Sequence, residues 1–128
     1  MPRAMTMDSR TAPAGAAAQD FVKQADGGNF DVLVLQADGP VVVEFMSYSC
    51  AHCRAVESTL QHVARQLGQG QPFFRVVVAQ EADLAMRYGI EGTPTLVMFQ
   101  HGAEVGRVEG PPTDAAGLLL AVTQPFAS

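Results

Sequence analysis

The only two cysteines of the chain, Cys50 and Cys53, stand three positions apart, where a strand pattern gives way to a helix pattern. The residues before them, Val41–Met46, form a β-branched and aromatic run with the length of a buried strand. The residues after them place apolar side chains at intervals of four, three and four, as an amphipathic helix does: Val56, Leu60, Val63 and Leu67. The cysteine pair is therefore expected to open a helix.

The first turn of a helix favours an anion, because its N–H groups are unpaired and the macrodipole is positive there. A thiolate is such an anion, so the pKa of Cys50 is expected to lie below the value of about 8.5 for free cysteine, and a protonated His52 would lower it further. Cys53 lies on the same helical face, within bonding reach of Cys50, and is expected to point inward. We therefore predict a redox-active dithiol in which Cys50 is the nucleophile and Cys53 resolves the mixed disulfide.

Three other roles are compatible with a Cys-x-x-Cys pair. Half of a zinc site would need a second pair of ligands, whereas His62 and His101 stand alone, so no metal is expected. A structural disulfide would close a loop too small to remove much entropy from the unfolded chain. The third alternative is a pair of inert thiols in a fold that has lost its activity.

The composition indicates one soluble domain with a substantial core, because 48% of the 128 residues are hydrophobic. The net charge of −5, without any basic cluster, argues against nucleic acid and anionic membranes as partners. No apolar run reaches the length of a membrane span. Met86 and Met98 lie among apolar neighbours and are expected in the core.

The first 18 residues show no hydrophobic periodicity, and we predict a flexible N-terminal tail at 1–18 followed by one domain at 19–128. Polar and charged residues interrupt the place where a secretory signal would need its apolar segment. A cytoplasmic location is therefore expected. A periplasmic location is the alternative if a leader sequence has been removed.

The remaining patterns follow the order β-α-β-α-β-α-β-β-α, which predicts an α/β fold with a central mixed β-sheet flanked by helices on both faces. Segment 30–35 is ambiguous, because its composition favours a strand and its apolar spacing favours a helix. Reactive groups in such sheets collect at the carboxyl ends of the strands, where Cys50 lies. The predicted strands are 21–22, Val41–Met46, 73–79, Thr95–Gln100 and Ala103–Glu109, and the clear helices are 51–67, 82–88 and 114–122.

Several motifs keep the relative spacing found in one protein family: the interval from Glu44 to Cys50, the Cys-x-x-Cys itself, Tyr88-Gly89-Ile90, Gly92-Thr93-Pro94-Thr95, Gly102 and Gly110. By these motifs the chain resembles the thioredoxin family from about Gln19 to its C-terminus. The resemblance implies the thioredoxin fold, a helix at 30–35 and a cis Thr93–Pro94 bond. It also implies that Thr93 presents its backbone to an extended substrate segment beside Pro94.

Glu44 is the one carboxylate in an otherwise apolar strand, and burial should raise its pKa into the range useful for proton exchange with Cys53. The thioredoxin family has Asp at this place. Arg75 stands where the family often has Lys, and would hold Glu44 ionised more firmly. The alternatives are a solvated Glu44 on an edge strand and an ordinary surface arginine.

The chain also departs from the family pattern. Met46 and Ser49 stand where thioredoxins usually have Trp, and the chain has no Trp at all. The Ala-His dipeptide between the cysteines resembles disulfide isomerases and periplasmic disulfide-forming oxidases more than thioredoxin itself. A thiolate better stabilised by His52 would make the disulfide more oxidising, so the physiological direction stays open.

From these residues and this resemblance we predict a monomeric thiol–disulfide oxidoreductase that serves cell redox homeostasis and electron transport. Its partners would be protein disulfide substrates and a protein or thiol reductant. No cofactor is expected, because no pattern of a nicotinamide or flavin site is visible. The alternatives are a thioredoxin-like binding or assembly module with little turnover, and a carrier of a metal or cluster.

Overall fold

The computed structural model describes residues 20–127, so the predicted tail at 1–18 lies outside the described residues. Three short helical segments of this part of the chain are not α-helices: a π-helix at Asp31–Leu35 and 3-10 turns at Gly68–Gly70 and Gln124–Phe126. The strands are β1 (Val22–Gln24), β2 (Val41–Met46), β3 (Phe73–Val77), β4 (Thr95–Gln100) and β5 (Ala103–Glu109), and the helices are α1 (Ala51–Leu67), α2 (Ala82–Arg87) and α3 (Ala115–Thr123).

The five strands form one sheet in the order β1-β3-β2-β4-β5. β3 runs parallel to both β1 and β2, whereas β4 runs antiparallel to β2 and to β5. All six residues of β2 are buried, as expected of the middle strand of a sheet that is covered on both faces. The predicted mixed sheet with flanking helices is confirmed.

The side chains of β2 alternate between two cores, because successive residues of a strand point to opposite faces. Val42 packs in the core beneath α1 and α3. Val41, Val43 and Phe45 pack in the core on the other face, with the π-helix and α2. Glu44 shares the parity of Val42, so its carboxylate lies on the α1 face of the sheet.

Helix α1 begins immediately after Cys50, whose extended backbone and side chain make it the N-cap residue. Its buried residues are Cys53, Val56, Leu60, Val63 and Ala64. Three residues of the predicted apolar stripe are thus buried, whereas the fourth, Leu67, is only partly buried. The helix ends at Gly68, whose φ of 66° is in the left-handed region that favours glycine. Asp114 caps α3 by accepting a hydrogen bond from the backbone N–H of Gly117.

Two details differ from the sequence-based expectations. Segment 30–35 is helical, as the resemblance implied, but it is a single π-turn in which the N–H of Gln36 donates to the carbonyl of Asp31 at 2.9 Å. Pro40 lies only four residues later, which leaves no room for a longer helix before β2. Met98 is buried, whereas Met86 is 78% exposed, because α2 buries only Leu84. The prediction of Met86 as a core residue was wrong.

Candidate active site

The cysteine pair lies where the chain leaves the carboxyl end of β2 and enters α1. Cys50 is partly exposed, and Cys53 is only 1% exposed on the inner face of the helix. No disulfide joins the two cysteines in this structure. The backbone N–H of Cys53 donates to Cys50 Sγ at 3.1 Å, which is the hydrogen bond that caps α1. The predicted position of the pair at the start of a helix is confirmed.

The surroundings of Cys50 favour its thiolate. Burial raises the pKa of the thiol, but hydrogen bonds with the Cys53 thiol, with Thr93 and with the backbone N–H groups of Cys53 and His52 outweigh it and lower the pKa. The two N–H groups belong to the first helical turn, where the helix dipole also favours an anion. The lower pKa of Cys50 therefore comes from the second thiol, from Thr93 and from the backbone at the start of α1.

The surroundings of Cys53 have the opposite effect. Burial and the hydrogen bond with Cys50 raise the pKa of the Cys53 thiol to about 11. At neutral pH the inner sulfur is therefore a protonated donor next to an outer sulfur that ionises easily. This difference separates an attacking thiolate from a thiol that must lose a proton before it can react.

Glu44 is fully buried on the central strand, so the alternative of a solvated edge-strand carboxylate is wrong. Burial raises the pKa of Glu44 to about 7, although Arg75 lowers it and Glu57 adds a smaller upward effect. Its Oε2 atom has no hydrogen-bond partner among the described residues. A buried carboxylate with a free oxygen and a pKa near neutrality can both accept and return a proton.

Arg75 is not an ordinary surface arginine. Its Nη2 donates to both carboxylate oxygens of Glu57, at 2.6 and 2.7 Å, whereas its Nε reaches Glu44 Oε1 only at 3.5 Å. Asp20 Oδ2 lies 4.0 Å from Arg75 Nη1. Arg75 therefore pairs mainly with Glu57, and desolvation outweighs its effect on the pKa of Glu44.

Sequence reasoning missed Glu57. It lies four residues after Cys53 on α1, and side chains at that spacing share a helical face, so the pattern contained the signal that could have found it. A cavity of about 190 Å³ lies between Cys53 and the Arg75–Glu57 pair. Its lining residues are Met46, Tyr48, Cys53, Arg54, Glu57 and Arg75.

Thr93 and Pro94 form the opposite wall beside Cys50. The Thr93–Pro94 bond is cis, as the resemblance implied. The carbonyl oxygen of Thr93 lies 3.4 Å from Cys50 Sγ. A groove of about 280 Å³ lies at this loop and at the end of β5, and its lining residues are Glu91, Gly92, Thr93, Pro94, Thr95, Glu109 and Gly110.

The side chain of His52 is directed to the loop that follows β5. Its Nε2 lies 2.8 Å from the carbonyl oxygen of Pro111, and because a carbonyl can only accept, Nε2 carries the hydrogen. The backbone N–H of His52, rather than its ring, is the group that hydrogen-bonds to Cys50. The effect of a protonated imidazole on Cys50 stays a prediction.

Residues 20–127 contain neither a metal-binding cluster nor a membrane-spanning helix. No three His, Cys, Asp or Glu side chains in this part of the chain are grouped closely enough to hold a metal ion. None of the helices described here combines the length and apolar character needed to cross a membrane.

Comparisons with known proteins agree with this geometry. The chain is 32% identical over 81 residues to a thioredoxin from Rhodospirillum rubrum, which covers 63% of this chain and 78% of that protein. It is 32% identical over 98 residues to protein disulfide-isomerase A3 from Gallus gallus, covering 77% of this chain but only 19% of that protein. A crystal structure of a Malassezia sympodialis thioredoxin superimposes with a TM-score of 0.72 at 27% identity, covering 83% of this chain and 91% of that one.

The predicted thioredoxin fold is confirmed by this structural match. The family model described as Thioredoxin matches residues 21–123, which include both cysteines, Glu44 and the Thr93–Pro94 loop. The chain belongs to the thioredoxin family.

Proposed function

We propose that this protein is a thiol–disulfide oxidoreductase that exchanges its Cys50–Cys53 dithiol with disulfides of other proteins. The observation that carries the proposal is the contrast between the two sulfurs. The pKa of the partly exposed Cys50 is lowered, whereas the pKa of the buried Cys53 is raised to about 11. A dithiol with one accessible thiolate and one protected thiol is suited to attack first and close its own disulfide second.

The proposed reaction begins when the Cys50 thiolate attacks one sulfur of a substrate disulfide. A mixed disulfide forms, and the other substrate sulfur leaves as a thiolate. Cys53 then gives its proton to Glu44 and attacks Cys50 Sγ, which forms the Cys50–Cys53 disulfide and releases the second substrate sulfur. Two electrons have passed to the substrate, and a protein or thiol reductant must give two electrons to the Cys50–Cys53 disulfide to regenerate the dithiol.

Thr93 and Pro94 are proposed to hold the substrate. An extended peptide segment can pair with exposed backbone without requiring a particular side chain. The Thr93 carbonyl, 3.4 Å from Cys50 Sγ, would place such a segment beside the attacking sulfur. This mode suits an enzyme that acts on many protein disulfides.

We further propose that the protein acts as a cytoplasmic monomer in cell redox homeostasis and electron transport. Bacterial relatives named thioredoxin, from Rhodospirillum rubrum and Pseudomonas aeruginosa, support this role. The similarity to protein disulfide-isomerase A3 supports protein disulfides as substrates.

The proposal is tested by reduction of insulin disulfides with dithiothreitol as electron donor. The wild-type protein is expected to accelerate the reduction, and Cys50→Ser is expected to fall to the uncatalysed rate because it lacks the attacking thiolate. Cys53→Ser is the matched control, since it keeps the attacking sulfur. Incubated with insulin without dithiothreitol, which would reduce the product, it should accumulate a mixed disulfide that is visible by mass spectrometry. Equal rates for wild type and Cys50→Ser would instead support a binding or assembly module.

A further inference from the structure

The function proposed above uses Glu44 but leaves a second carboxylate unexplained. Glu57 lies one helical turn beyond Cys53, and its side chain is 37% exposed at the mouth of the cavity that Cys53 also lines. Both of its oxygens accept hydrogen bonds from Arg75 Nη2, and Oε2 also accepts one from Gln61 Nε2 at 2.8 Å. Three hydrogen bonds therefore fix this carboxylate in one place.

The same contacts fix Arg75. The Nη2 end of its guanidinium is committed to Glu57, and Asp20 lies 4.0 Å from Nη1. Only Nε faces Glu44, at 3.5 Å, which is at the limit of a hydrogen bond. A guanidinium without other partners prefers to bind one carboxylate with two parallel hydrogen bonds. Glu44 therefore lacks the pair of parallel hydrogen bonds that Arg75 would form with it if Arg75 had no other partner.

We propose that Glu57 is a positioning residue that holds Arg75 away from Glu44, so that Glu44 Oε2 stays free to take the proton of Cys53. This inference rests on the proposed function, because it assigns that proton to Glu44. Glu57 acts by its hydrogen bonds to Arg75 and, to a smaller extent, by its own negative charge near Glu44. Because Glu57 lies on α1 four residues after Cys53, the helix that carries the dithiol also positions the arginine beside the proton acceptor Glu44.

The charges around Arg75 determine whether replacing Glu57 raises or lowers the pKa of Glu44. Asp20 approaches from before β1, Glu44 from β2, and Glu57 from α1; Arg54 and the Tyr48 phenol line the same cavity. Replacing Glu57 with a neutral residue removes a negative charge near Glu44 and frees Nη2 to turn towards Glu44. Both changes stabilise the ionised form of Glu44, so both lower its pKa.

The test compares Glu57→Gln with the wild type by following the carboxyl carbon of Glu44 by NMR in the reduced protein. The signal is assigned with Glu44→Gln. In Glu57→Gln the titration midpoint of Glu44 is expected to move down by about one pH unit. Glu57→Asp keeps the charge and should restore much of the wild-type midpoint. Asp31→Asn is the matched control, because it removes one carboxylate from an exposed ion pair with Arg87 and should change nothing.

A second measurement reports on the resolving step. The rate at which the mixed disulfide decays is measured as a function of pH. The inflection in Glu57→Gln should move to lower pH, and the plateau rate should fall because Glu44 has become a weaker base. An unchanged Glu44 midpoint in Glu57→Gln would overturn the inference even if the enzyme turns over insulin. Absence of cysteine-dependent turnover in the wild type would overturn the proposed function, while the NMR midpoint would still decide the role of Glu57.

Discussion

Two sulfurs that are three residues apart in sequence occupy opposite chemical environments. Cys50 receives hydrogen bonds at the start of α1, whereas Cys53 lies beneath the first turn. Residue type and spacing were enough to predict this contrast and the burial of Glu44. They could not predict that Arg75 prefers Glu57, because that choice depends on side chains that meet from separate elements.

The buried Glu44 should make stability depend on pH. Its pKa is near 4.5 in the unfolded chain and about 7 in the fold, so the folded protein binds the proton more tightly. The stabilisation is complete below pH 4.5 and is lost as pH rises through 7, which amounts to about 3 kcal/mol at most. In Glu44→Gln this loss should disappear, while Arg75 keeps Glu57 as its partner.

Urea unfolding of the reduced proteins at pH 5 and pH 8 measures this effect. The difference between wild type and Glu44→Gln isolates Glu44, because Cys50 and the other ionisable groups are common to both proteins. The free energy of unfolding of Glu44→Gln minus that of wild type should be larger at pH 8 than at pH 5. The same relative stability at both pH values would contradict a neutral Glu44 in the fold.

At the scale of elements, β2 followed by α1 is the unit that builds the site. The continuous β-branched and aromatic run of β2 and the apolar stripe of α1 are strong signals, and both elements lie where the sequence predicted them. The π-turn at Asp31–Leu35 was ambiguous because so short a segment supports either period. Met86 was misplaced because a six-residue helix has one buried residue and several outward ones.

Gly106 on β5 tests how the C-terminal turn is attached to the sheet. A Cβ at this position would lie 2.7 Å from Cβ and Cγ of Pro125, so Gly106→Ala must displace the turn at Gln124–Phe126. We expect a loss of about 1–3 kcal/mol in the free energy of unfolding. Gly70→Ala is the control, because no atom of another residue lies within 4 Å of the place its Cβ would take, and its effect should be small. Equal stability of the two variants would contradict the close contact.

At the scale of the whole molecule, the order of elements predicted the mixed sheet and its covering helices. The structure adds how two cores divide the sheet: α1 and α3 cover one face, and the π-turn and α2 cover the other. Glu44 lies on the face that α1 covers, so the fold itself brings the buried acid beneath the helix of the dithiol. Membership of the thioredoxin family and the geometry of the site both support thiol–disulfide exchange.

The start of α1 lowers the pKa of Cys50 below that of free cysteine, and the rate of Cys50 alkylation by iodoacetamide as a function of pH measures that pKa. The alkylation rate of Cys50→Ser measures the small contribution of Cys53 to the total rate. We expect a midpoint clearly below the value of about 8.5 for free cysteine, with little reaction in Cys50→Ser. A midpoint at or above that of free cysteine would contradict stabilisation of the Cys50 thiolate by the start of α1.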